Sequence, residues 1–114
     1  MPPRDWSVRI EDIIEACKRI VEYVHGISED DFSQDTRTVD AVIRNLTVIG
    51  EAASKIPEEV RLRYSGLPWE EMRGIRNIVV HEYFGVSIPI IWKTLQDDIP
   101  PLIPLLQKIL EENQ

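Results

Sequence analysis

Arg76, Asn77, His81 and Tyr83 fall within one short run, Arg76-Asn77-Ile78-Val79-Val80-His81-Glu82-Tyr83-Phe84, and are the residues of this chain best equipped for chemistry. A guanidinium is permanently charged and forked to match phosphate oxygens. An imidazole titrates near neutrality and can take or give a proton. Together they make a minimal metal-free kit for phosphodiester chemistry, with no cofactor required. Arginine and histidine also recur at such spacings by chance, so the surrounding elements must supply the context.

Those elements are helical. From Ser7 to His25 the residues Ile10, Ile13, Ile14, Cys17, Ile20, Val21 and Val24 recur at steps of three and four, one stripe of a helix that Gly26 ends. Ser28-Glu29-Asp30-Asp31-Phe32 has the form of a capping box with an aromatic anchor, read as a loop or single turn; a metal site at its three carboxylates is the outside alternative. A second helix, starting near Thr36 or Thr38, carries Val39, Val42, Leu46, Ile49, Ala53 and Ile56 as a heptad-like seam. Pro57 ends it and can begin a short helix, Tyr64-Ser65-Gly66-Leu67 forms a turn, and Pro68 opens the helix bearing Arg76 and His81. Ser87 can cap a fourth helix with Ile91, Leu95 and Ile99 inward, which Pro100-Pro101 breaks or kinks before a last apolar segment from Leu102 to Leu110. No segment alternates with period two. The expected fold is therefore all-α, an antiparallel bundle of four to five helices in one domain over residues 1–114.

On a helix turning about 100° per residue, Met72, Ile75, Val79 and Tyr83 share a sector that must face the bundle, while Arg73, Asn77, Val80, His81 and Phe84 share another. Arg76 lies at the border. Arg76 and His81 are rotated by about 140° from each other, too far to grip one phosphate from one straight helix. Either the helix distorts before Gly85, or two copies of the chain complete a composite site across a two-fold axis, which is the favoured reading. Such a dimer would also bring two copies of Arg73 and Asn77 together as a positive cleft. The plainer alternative is structural: Arg76 pairs with Glu51 or Glu82, and His81 merely ends a helix, where a cation suits the dipole. Glu51, a carboxylate on an apolar seam, is expected to pair with Arg73 or Arg76, to orient it or simply to hold the structure. His25, before Gly26, reads as a helix terminator, and Trp6, Trp69 and Trp92 read as packing residues.

The bulk properties fit a small globule. A net charge of −7 from thirteen basic and twenty acidic residues argues against tight nonspecific binding to DNA or RNA, so a nucleic acid would have to be met locally. The lone Cys17 sits among apolar positions and reads as a buried, inert thiol. No apolar run approaches a membrane span and no signal-peptide pattern precedes Trp6, so a cytoplasmic protein is expected.

Arg76, four residues, His81, one residue, Tyr83, with Asn77 after the arginine, resembles the hallmark of the HEPN superfamily and of its HepT-like toxins. The likeness extends to Ala41-Val42-Ile43-Arg44-Asn45-Leu46, to Ile49-Gly50-Glu51-Ala52-Ala53, and to Pro68-Trp69 with Met72-Arg73-Gly74-Ile75. It implies a homodimeric helical bundle with a metal-independent endoribonuclease site in the dimer cleft, the toxin of a type VII toxin-antitoxin pair. His81 would be the general acid or base, Arg76 would hold the phosphate, and Asn77 would orient one or the other. It also implies an MntA-like nucleotidyltransferase antitoxin that transfers AMP to Tyr83, for which the phenol must be accessible. The competing reading is a noncatalytic helical dimer that serves a nucleotidyltransferase as a binding or regulatory subunit.

Overall fold

The computed structural model describes the backbone of residues 4–83 and 88–113 and the side chains of residues 6–78 and 88–113. Every regular element among them is helical: α1 (Arg4–Val24), α2 (Glu29–Gln34), α3 (Thr36–Ser54), α4 (Glu58–Arg63), α5 (Trp69–Tyr83), α6 (Ile88–Lys93), a π-helical turn (Thr94–Asp98) and α7 (Leu102–Glu112). None of the described helices is long and apolar enough to cross a membrane.

The α1 stripe is buried as its periodicity requires, with Ile10, Ile13, Cys17 and Ile20 fully enclosed, and Gly26 follows in the left-handed conformation (φ 76°) that glycine adopts without strain. Burial raises the Cys17 thiol to about 12, so it is protonated and unreactive. The acidic segment after it, expected as a loop or single turn, forms a six-residue helix, because its capping box is complete. Ser28 Oγ accepts from the Asp31 N–H at 3.1 Å and Asp31 Oδ2 accepts from the Ser28 N–H at 3.2 Å. Phe32, at the centre of this helix, is fully buried and meets Trp92 with ring centroids 5.4 Å apart, which ties α2 to α6.

Helix α3 begins at Thr36, one of the two expected starts, and is capped by Asp35. The Asp35 carboxylate accepts from the Thr38 N–H at 3.2 Å and from the Thr38 hydroxyl at 2.6 Å. Its buried seam of Val39, Val42, Leu46, Ile49 and Ala53 belongs to the helix that packs against both α1 and α5, and α7 packs against α1. Pro57 starts α4, and the indole N–H of Trp69 donates to the Tyr64 carbonyl at 3.0 Å, fixing the turn that launches α5. The Tyr64 hydroxyl in turn accepts from Asn113 Nδ2 at 2.8 Å, joining the end of α7 to that turn.

The expected cap at Ser87 lies outside the described residues. Ile91, Leu95 and Ile99 are buried as expected, but the helix carrying them widens into a π turn in which the Ile99 N–H donates to Thr94 O at 3.2 Å. Pro100 and Pro101 explain the widening. Neither can donate to the helical ladder, and each ring would crowd the carbonyl four residues earlier in a tight α turn, so an extra residue in the turn relieves both.

Candidate functional site

Helix α5 is α-helical from Trp69 to Tyr83, so positions 76 and 81 lie on one regular helix, about 140° apart in projection. Of the two geometries open to them, the distorted helix is absent over these positions. Met72 and Ile75 are buried, in keeping with the sector expected to face the bundle. The side chains of Val79, Val80, His81 and Tyr83 lie outside the described residues, as does Phe84, and the exposure expected of the Tyr83 phenol falls there too.

Arg76 is held by α3. Its Nε lies 2.9 Å from Glu51 Oε1 in an ion pair whose two side chains are each about half exposed. At that exposure the pair contributes on the order of 0.2–1 kcal/mol to stability, so fixing the direction of the guanidinium is its larger effect. Arg73 does not share this carboxylate. It pairs at 2.9 Å with Glu70, three residues earlier on its own helix, and that contact is solvated. Asn77 is exposed one position after Arg76. Arg76 and Glu51 are thus brought together, Asn77 is exposed about 100° further round the same helix, and Arg73 is turned along its helix toward Glu70.

A contributor that the sequence reading did not single out is Gly50. A methyl group at this position would collide with Arg76 Cγ and lie 3.2 Å from the Arg76 backbone nitrogen. The missing Cβ lets α5 cross α3 at close range and seats the aliphatic part of Arg76 directly over α3. The signal in the sequence was a glycine inside an otherwise apolar helical seam, just before the carboxylate that pairs with the arginine. Among the described residues, no three histidine, cysteine or acidic side chains gather as a metal site, and Asp31 is committed to its capping box.

This arrangement presents a guanidinium held at Nε, with an exposed amide at the next position of α5. It suits an oxyanion, and phosphate in particular.

Comparison with known proteins is specific. The family described as Ribonuclease HepT-like matches residues 13–109. A protein of Caldanaerobacter subterraneus subsp. tengcongensis that carries an RNase name is 40% identical over 105 residues, covering 92% of this chain and 94% of that protein. A Thermococcus cleftensis protein named as a ribonuclease HepT is 41% identical over 100 residues, covering 88% and 91%. A Methanocaldococcus jannaschii protein, named as a gamma-glutamylcyclotransferase and RNase, is 38% identical over 109 residues, and the chain spans about half (49%) of its length. No solved structure matches.

Proposed function

This chain belongs to the HepT-like ribonuclease family, and from that premise we propose that it is a metal-independent endoribonuclease toxin working as a homodimer, with Arg76 and His81 as its catalytic residues. The observation that carries the reading is the geometry of α5: an unbroken α-helix with Arg76 clamped by Glu51 and Gly50 and His81 five positions on. One straight helix cannot close both groups on one phosphate. A second copy across a two-fold axis supplies the missing face, so that an arginine of one protomer and a histidine of its partner meet the same scissile group.

In this mechanism His81 of one protomer takes the proton of the ribose 2′-hydroxyl as that oxygen attacks the adjacent phosphorus, and the departing 5′-oxygen takes its proton from solvent water. The products are a 2′,3′-cyclic phosphate and a 5′-hydroxyl. Arg76, gripped at Nε by Glu51, offers its terminal nitrogens to the phosphate oxygens and stabilises the charge that builds on them. Asn77 orients the phosphate, Arg73 adds positive potential to the cleft, and Glu51 acts through Arg76 as a positioning residue. Silencing follows from AMP transfer to Tyr83 by a nucleotidyltransferase antitoxin, since a nucleotide two residues from His81 fills the RNA cleft and adds negative charge.

The experiment is direct. Purified, unmodified protein is incubated with messenger and transfer RNA in the presence of a chelator, and the cut ends are analysed. Cleavage leaving a 2′,3′-cyclic phosphate, abolished in folded Arg76→Ala and His81→Ala variants, is the expected result. An inert wild-type protein that still binds a nucleotidyltransferase would replace this reading with the noncatalytic regulatory dimer.

A further inference from the structure

The face of α5 turned away from Glu51 borders an open groove of about 660 Å³ that runs against the π turn and α7. Ile75, Ile78, Leu102 and Leu105 contribute to its apolar lining, and Leu105 is 42% exposed, a large hydrophobic residue left uncovered by its own chain. Glu71, Asp97 and Asp98 also line it, and among the described residues no lysine or arginine does.

Gly74 lines the same groove, and it differs from Gly50. A methyl group built on Gly74 meets no atom within 4 Å. Glycine inside a helix costs about 1 kcal/mol relative to alanine. At Gly50 that cost is answered by the close approach of Arg76, whereas at Gly74 none of the described residues uses the space. A bare stretch of helix backbone, flanked by apolar side chains and edged by carboxylates, is shaped for close approach by something from outside.

We propose that this groove is the docking site for a basic amphipathic helix of another protein, which lays its apolar row over Gly74, Ile78 and Leu105 and sets lysines or arginines against Glu71, Asp97 and Asp98. Charge complementarity selects this occupant. A second copy of this chain, pairing groove to groove, would set two sets of these carboxylates against each other on a protein already at −7. A basic helix neutralises them, and its anchors at one-turn spacings match a groove that follows a helix.

The test uses the full chain and a fluorescently labelled leucine-lysine amphipathic peptide of about five helical turns, with a leucine-glutamate twin as control. Anisotropy at physiological salt should show the lysine peptide binding at least about tenfold more tightly than its twin. Gly74→Leu adds bulk to the groove without changing the charge, its Cβ meeting no atom within 4 Å, and should weaken the lysine peptide by about tenfold or more. Leu105→Asp, at an exposed position, should weaken it comparably, and thermal melts confirm that both variants are folded. Equal binding of the two peptides, or wild-type affinity in folded Gly74→Leu, overturns the proposal by showing diffuse attraction. So does sedimentation in which Leu105→Asp splits a wild-type dimer into monomers, because the groove is then covered by a second copy. None of these measurements requires RNA cleavage, so failure here and failure of the ribonuclease assignment are distinguishable.

Discussion

Gly50→Ala adds a single methyl group at the point where Arg76 lies on α3, and its consequences separate packing from catalysis. The new Cβ would overlap Arg76 Cγ and press to 3.2 Å from the Arg76 backbone nitrogen. Overpacking of this kind costs about 1–3 kcal/mol, and the better helix propensity of alanine returns about 1 kcal/mol, so the net loss of stability is about 0–2 kcal/mol. In an Arg76→Ala background the Cγ collision is gone and only the tight backbone approach remains. There the same substitution should be neutral or stabilising by up to about 1 kcal/mol. Urea denaturation of the four proteins, followed by far-ultraviolet circular dichroism, completes a double-mutant cycle with an expected coupling of about 1–3 kcal/mol. RNA cleavage is the second readout. A guanidinium displaced by about 1 Å loses on the order of a hundredfold in rate, so Gly50→Ala should be folded and nearly inactive. Additive stabilities within about 0.5 kcal/mol would refute the placement of Arg76 over Gly50. Full activity in Gly50→Ala would refute the claim that this seat positions a catalytic arginine.

Three further outcomes follow from the fold. Phe32→Ala empties a fully enclosed site against Trp92 and should destabilise the chain by about 3–5 kcal/mol in denaturant titrations. Asp35→Ala removes the cap of α3 and should lower the melting temperature at neutral pH. The Thr38 hydroxyl and N–H hold the Asp35 carboxyl below its ordinary 3.8, so its contribution is complete above that value and is lost as the pH falls through the lower folded value. The melting temperatures of wild type and variant should therefore converge in strong acid. Cys17, raised by burial from 9.0 to about 12, favours the folded state fully below 9.0 and loses that contribution as the pH climbs toward the folded value. Its thiol should resist alkylation in the native protein at mild alkaline pH and react promptly in denaturant, as measured by mass.

Much of this molecule was legible in its residues because the governing interactions are local. The α1 stripe, the Ser28 capping box and the roles of Gly26, Pro57 and Pro68 each depend on neighbours a few positions away. The acidic segment, read as a loop or single turn, was underrated only in length, since a complete capping box and one buried aromatic suffice for a short helix. What the sequence left open depends on two helices at once. Whether Glu51 meets Arg73 or Arg76 is a question of register between α3 and α5, which the periodicity of either helix alone does not carry. The answer, Arg76, came with Gly50, whose purpose is invisible until the crossing point is known. The π turn escaped for a related reason: the proline pair announced a break, but a break and a widened turn satisfy the same constraint.

That widened turn gives the chain a spare residue. An α turn would span Thr94–Asp98 with one residue fewer, so a deletion there could be absorbed by tightening rather than by tearing α6 from α7. The adjustment would not be silent. Deleting Asp97 or Asp98 takes one carboxylate from the groove beside Gly74, while the flanks, then joined by an α turn, keep the facing that closes the bundle. The segment is thus a place where a change of length alters the charge of this face and leaves the seat of Arg76, on the opposite side of α5, untouched.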